Sequence, residues 1–134
     1  VDYLQSRVSQ QVVFSFKAPE NPIYVNINPA LHSWTIENLV KNAIDAMKGK
    51  GSLNIGISEL EDIVKISITD TGKGIPKNQF TKVFEPGFTT KKRGWGLGLS
   101  LTKRIVQEYH KGKIKVANSE ISKGTTMQIS YKTT

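Results

Sequence analysis

Apolar and polar residues along the chain fall into two recurring patterns, an alternation of period two and a spacing of three and four. Val12-Val13-Phe14-Ser15-Phe16 is rich in β-branched and aromatic residues and predicts a strand. Beyond the turn Pro19-Glu20-Asn21-Pro22, residues 23–28 (Ile-Tyr-Val-Asn-Ile-Asn) alternate like a half-buried strand, which predicts a hairpin with the first. Leu31, Ile36, Leu39, Val40, Ala43, Ile44 and Met47 then recur at helical spacing, and Gly49 and Gly51 end that helix. Residues 52–58 and 63–69 form a second alternating hairpin, which runs into Asp70-Thr71-Gly72-Lys73-Gly74. A short helix is expected from Pro76 to about Val83, with proline in its first turn. Residues 84–95 carry too many Gly, Thr and Lys for a packed element and are expected to form a mobile loop. From Gly96 to Tyr109 the pattern is again helical, with Leu97, Leu101, Ile105 and Val106 on one face, and residues 113–117 and 125–131 close the chain as a hairpin. Leu4 and Val8 give the first ten residues a short helical pattern of their own.

The resulting order, ββαββ(α)αββ, predicts an α+β fold, a two-layer sandwich in which helices cover one face of a mixed sheet. At 134 residues the chain has the length of one domain. Its 37% hydrophobic and 22% charged residues are those of a globular chain. With no cysteine, disulfides, thiolate metal sites and cysteine nucleophiles are excluded, in keeping with a cytoplasmic setting. No stretch approaches the roughly 20 apolar residues that span a bilayer, so no direct membrane contact is expected, and an anchor of the parent protein would lie elsewhere. The formal charge of +8 is spread over single lysines and arginines, with one run of three at Lys91-Lys92-Arg93. Such scatter is the mark of a solvated surface, and no nucleic-acid partner is expected from it.

Three constellations carry chemistry. Asn38 and Asn42 stand four residues apart and share a helix face. A neutral amide oxygen suits Mg²⁺, a hard ion that takes few protein ligands when phosphates supply the rest. The plain alternative is a pair of solvent-facing asparagines. Asp70, where an apolar strand ends, can accept a hydrogen bond from the exocyclic amine of adenine, and Gly72 and Gly74 let the backbone turn close to the base. Alone, that motif is equally an ordinary turn. Gly94, Gly96 and Gly98 alternate with Trp95, Leu97 and Leu99 just before a helix, offering backbone N–H groups and the positive end of the helix dipole to phosphate. Thr89, Thr90, Lys91, Lys92 and Arg93 add hydroxyls and cations, so the loop reads as a lid over a triphosphate or as a basic solvated loop.

Taken together and in order, from about Val12 to Tyr131, these segments resemble the GHKL ATPases (DNA gyrase, Hsp90-type chaperones, histidine kinases and MutL), and most closely the catalytic domain of bacterial two-component sensor histidine kinases. Residues 38–43 resemble the family's N box, residues 70–74 its first G box, residues 84–90 its F box and residues 94–99 its second G box. Gly124-Thr125-Thr126-Met127 resembles the last glycine motif, whose threonine supports the adenine-binding aspartate. The resemblance implies a Bergerat-type fold over residues 11–134, with residues 1–10 as the tail of a preceding dimerisation helix. It places adenine on Asp70 beside Ile75, Mg²⁺ on Asn42, and the phosphates of ATP under residues 85–98. No P-loop motif is present.

Gyrase- and chaperone-like members carry a glutamate at the position of Asn38, where it activates water. An amide there, with Glu37 about 100° around the helix, implies a site in which Asn38 and Asn42 serve transfer of the γ-phosphate to an external histidine rather than hydrolysis. Two positions depart from the common pattern: Asp45, where many histidine kinases have Lys or Arg, and Ala46, where many have an aromatic residue. Lys91, Lys92 or Arg93 is expected to take over the lost phosphate contact, and the Asp-Ala pair resembles the nitrogen-regulation sensors. Neither His32 nor His110 has the acidic neighbour of the family's phosphoacceptor, and each is expected to be solvated or to cap a helix. The implied partners are therefore a histidine-bearing dimerisation domain and a response regulator, with this chain itself monomeric. A serine-directed relative of the anti-sigma-factor kinase type, or a degenerate nucleotide-sensing module, are the alternatives.

Overall fold

A computed structural model describes residues 11–88 and 98–134. Among the described residues five strands form a single mixed sheet: β1 (Val12–Lys17), β2 (Gly51–Leu60), β3 (Ile63–Asp70), β4 (Lys113–Glu120) and β5 (Gly124–Lys132), in the order β1-β2-β3-β5-β4. Only the β1–β2 pair is parallel, joined through the long helix α1 (Pro29–Ala46); the other three are antiparallel. A second helix, α2 (Gly98–Arg104), continues into a π-helical turn at Ile105–Tyr109.

Alternation decides which face of the sheet is buried. Leu53 and Ile55 on β2, Val64, Ile66 and Ile68 on β3, Ile114 and Val116 on β4, and Met127, Ile129 and Tyr131 on β5 all point to one side. There they meet Leu39, Val40, Ala43 and Met47 of α1, Val83 and Phe84, and Val106 of the π turn, in one contiguous core. The opposite face exposes Asn54, Ser58, Lys65, Lys113 and Lys115. The α+β sandwich with helices over one face of a mixed sheet is thus observed.

Four elements differ from the sequence pattern. Residues 23–28 are not a strand: β1 spends its ladder bonds on β2, from Val12↔Gly51 to Lys17↔Gly56, so the expected hairpin does not form. The period-two burial survives, because Ile23, Val25 and Ile27 still pack on the core, while the chain end fastens the segment from outside through Thr134 N donating to Tyr24 O at 3.0 Å. The helix expected from Pro76 is two 3₁₀ turns, Lys77–Gln79 and Lys82–Phe84. The second turn buries Phe84, and Phe88 packs on the core, so the expected loop begins with anchored residues. On α2 the inward position is Thr102, fully buried, whereas Leu101 is 42% exposed. Residues 1–10, including Leu4 and Val8, lie outside the described residues.

Of the two roles expected of it, His110 takes the capping one: it is buried at the C-cap of the π turn, and what its ring does follows from one bond. Asn28 caps α1 by accepting from Leu31 N at 3.1 Å, and its own backbone N–H donates to His110 Nε2 at 3.0 Å. The His110 and His32 rings each stand edge-on to Tyr131, with centroids 5.8 and 6.0 Å away. Burial lowers the pKa of His110 below its ordinary 6.5. It lowers that of His32 too, with help from the neighbouring His110, and it pushes the Tyr131 phenol up to about 12. Because the two histidines take up protons near pH 6.5 in the unfolded chain and only at lower pH in the folded one, their contribution to stability falls as pH drops below about 6.5. Protonation of His110 at Nε2 also removes the acceptor of Asn28 N–H. We expect urea unfolding at about pH 5 to show a loss of the order of 1–3 kcal/mol relative to pH 7.5, reduced in His110→Gln; an unchanged midpoint would contradict the clasp.

Candidate functional site

Asp70 ends β3 on the buried side of the sheet and is only 6% exposed. A carboxylate there needs partners, and two backbone groups supply them to the same oxygen: Gly72 N–H at 2.8 Å and Thr125 N–H at 3.2 Å, both to Oδ1. Burial raises the Asp70 pKa above its ordinary 3.8, against the pull of these two hydrogen bonds. With Oδ1 committed, Oδ2 is the atom with capacity for a ligand.

The turn after Asp70 is built against two other parts of the fold. Lys73 N donates to Ala46 O at 3.1 Å, fastening it to the end of α1, and Ser122 N donates to Lys73 O at 2.8 Å, fastening it to the β4–β5 turn. Gly74, with φ +81°, lies so close to Glu120 that a Cβ would collide with the Glu120 carbonyl. Gly124, with φ +133°, lies against the Asp70 carbonyl in the same way. Both positions combine a left-handed backbone with contact at the backbone of a neighbour, so no other residue fits without displacement.

Ser119 ties this corner together and carries no sequence signal of its own. Its hydroxyl accepts from Ile75 N at 2.7 Å and donates to Gly124 O at 3.0 Å. Since that donation uses its one hydrogen, Thr125 must be the donor in the Ser119–Thr125 hydroxyl contact of 2.7 Å. Thr125 therefore supports Asp70 through its backbone N–H and not through its hydroxyl.

The structure thus gathers Asp70, Gly72, Gly74, Ile75, Thr125 and Ala46 around one corner. Asn42 is half-buried on α1, and Asp45 is exposed. Asn38, half-buried, donates from Nδ2 to Thr102 Oγ1 at 2.9 Å and so ties α1 to α2. Thr102 was legible in principle, since it shares the helical face of Ile105 and Val106. Gly98 opens α2 and Leu99 packs on the core. Thr89, Thr90, Lys91, Lys92, Arg93, Gly94, Gly96 and Leu97 lie outside the described residues. Among the described residues no helix is long and apolar enough to cross a membrane.

Residues 30–134 match the family model described as histidine kinase-, DNA gyrase B- and HSP90-like ATPase. The chain belongs to that family. Within the family the similarity is to histidine kinases. The sensor histidine kinase ZraS of Escherichia coli (strain K12) is 38% identical over 93% of this chain, and sporulation kinase A of Bacillus subtilis (strain 168) is 38% identical over 84% of it. The chain spans only 26% and 18% of those two proteins. The solved catalytic domain of histidine kinase ThkA superposes with a TM-score of 0.83 at 28% identity, covering 98% of this chain and 84% of that one. ThkA has also been solved in complex with the response regulator protein TrrA, where the likeness is 29% identical, with a TM-score of 0.78, over 92% of this chain and 34% of that one. The fold is that of a histidine kinase catalytic domain, an ATP-binding unit.

Proposed function

We propose that the chain binds Mg-ATP and donates its γ-phosphate to a histidine carried by a dimerisation domain, as the catalytic domain of a sensor kinase acting in the cytoplasm. The observation that carries this reading is the Asp70 corner: a buried carboxylate with one oxygen held by two backbone N–H groups and the other with no hydrogen bond among the described residues, next to a backbone that admits no side chain at Gly74 or Gly124. Such an acceptor fits the exocyclic amine of adenine and meets a carbonyl in guanine.

The donor set also fits the metal. Asn42 projects a neutral amide from the half-buried face of α1, and a neutral oxygen suits Mg²⁺ whose charge the triphosphate already balances. Bound Mg²⁺ would offset charge on the phosphates. The chain's own residues do the rest: Asp70 orients the base, Ala46 and Ile75 flank it, and Gly98 and Leu99 open α2 toward the phosphates. Residues 89–97 are assigned by their sequence to the phosphate end, with Lys91, Lys92 or Arg93 supplying the cation that position 45 lacks. Position 38 holds an amide, which cannot take a proton from water, so the γ-phosphate is kept for an outside nucleophile. Residues 1–10 are then the tail of the histidine-bearing helix, the chain alone is monomeric, and a response regulator receives the phosphoryl group.

Calorimetric titration with ATP and GTP, with and without Mg²⁺, tests the first half. Asn42→Ala is expected to abolish the Mg²⁺ enhancement and to lower affinity for Mg-ATP about tenfold or more, while leaving affinity for metal-free ATP nearly unchanged. Incubation with radiolabelled ATP and a histidine-bearing helical hairpin from a sensor kinase tests the second. An acid-labile, base-stable phosphoryl product supports transfer to histidine. An acid-stable product would favour the serine-directed relative, and no product with intact ATP binding would favour the sensing module.

A further inference from the structure

A polarised relay of hydrogen bonds runs between the two helices. Thr102 Oγ1 donates to Gly98 O at 2.8 Å, one turn back along α2. A hydroxyl has one hydrogen, so toward α1 Thr102 can only accept, and Asn38 Nδ2 donates to it at 2.9 Å. Thr102 is fully buried, so no water competes for either bond. At the far end the Asn38 carboxamide lies under Gly98: a Cβ there would sit 3.1 Å from Asn38 Oδ1 and 3.2 Å from Nδ2, closer than most side chains tolerate. The amide thus meets the first residue of α2 twice, once through Thr102 and once directly. Asp or Glu at position 38 has no hydrogen to give when ionised and would break the relay at its source.

We propose that Asn38 is a positioning residue that sets the start of α2 against α1, with Thr102 as its partner, and that it acts on the nucleotide through Gly98 without contacting it. This rests on the nucleotide-binding reading, and it separates the roles of the two α1 asparagines: Asn42 toward the ligand, Asn38 toward the scaffold. It also names Thr102 as a determinant of nucleotide affinity that touches no ligand.

A double-mutant cycle over Asn38→Ala and Thr102→Val in the full chain tests the proposal, with ATP affinity and urea unfolding measured for all four proteins well below their melting temperatures. Each single variant is expected to weaken ATP binding by about tenfold, the size of one buried hydrogen bond. The double variant should bind about as well as the weaker single one, because both substitutions cut the same relay. Thr102→Ser keeps the hydroxyl and should restore affinity to within about twofold, whereas Asn38→Asp should behave like Asn38→Ala. If Asn38→Ala costs its full factor again in the Thr102→Val background, Asn38 touches the ligand directly and the proposal is wrong. Loss of unfolding free energy with unchanged ATP affinity would reduce the relay to a packing feature and overturn it equally. If the folded wild type binds no ATP, the nucleotide reading fails and the positioning role with it. That outcome is distinct from a wild type that binds ATP while the cycle is additive.

Discussion

Asp70→Asn should leave the protein as stable as the wild type or more so, while ATP affinity falls by about 100-fold and preference for ATP over GTP disappears. The two halves have one cause. An asparagine keeps Oδ1 as acceptor for Gly72 N–H and Thr125 N–H, so the corner keeps its geometry. The atom that changes is the second one, from an acceptor to an amide donor that would face the amine donor of adenine in the proposed site, and replacing a charge-assisted bond with two opposed donors costs about 3 kcal/mol. For stability the sign is reversed. Burial raises the Asp70 pKa, which means that the folded protein holds the carboxylate at a cost at neutral pH, and a neutral amide removes that cost. Thermal unfolding beside calorimetry checks both: ATP affinity within about threefold of wild type would remove Asp70 from the site, and a large loss of stability would show that the charge itself is structural.

Gly124→Ala is expected to be the most damaging single-methyl change in the sheet. At φ +133° the new Cβ points into the Asp70 carbonyl, so β5 must move away from β3 at its first residue. That shift withdraws Thr125 N–H from Asp70 and disturbs the Ser119 bonds to Gly124 and Thr125. A strained backbone together with a backbone collision is worth about 2–4 kcal/mol of stability, and ATP binding should be lost with it. Gly56, whose Cβ would meet nothing within 4 Å, is the control: Gly56→Ala should change stability by less than about 1 kcal/mol. Urea unfolding of both variants decides it. Similar effects at the two positions would mean that the Asp70–Gly124 approach can relax freely.

The pairing of β1 shows where pattern reading stops. Period-two alternation in residues 23–28 correctly marked which side chains turn inward, since Ile23, Val25 and Ile27 do pack on the core. It could not say whether their backbone joins a ladder, because alternation records burial and not hydrogen bonding. The parallel partner of β1 arrives thirty-odd residues later, beyond α1, and no local signal announces a contact of that separation. His110 is a similar case. A histidine beside a lysine at a helix end reads as solvated or as a cap; it is the cap, and the π turn and the docking of Asn28 also place its ring inside the fold, which no local pattern announces.

The chemistry was legible earlier than the geometry. Which residue types recur, in which order and on which face of which element, is written locally: the inward stripe of α1, the apolar strand ending at Asp70, and the glycines at the turns. Those determine the fold class, the family and most of the residues gathered at the Asp70 corner. The tertiary structure decided the partners. Thr125 reaches Asp70 through its backbone because β5 runs beside β3, Ser119 matters only because the β4–β5 turn closes over Gly74, and the Asn38 amide meets Thr102 because α1 and α2 pack face to face. Each of these joins residues between 44 and 64 positions apart in the chain. The direction of a hydrogen bond across such a gap depends on how the elements pack, and that is settled only once the whole core has formed.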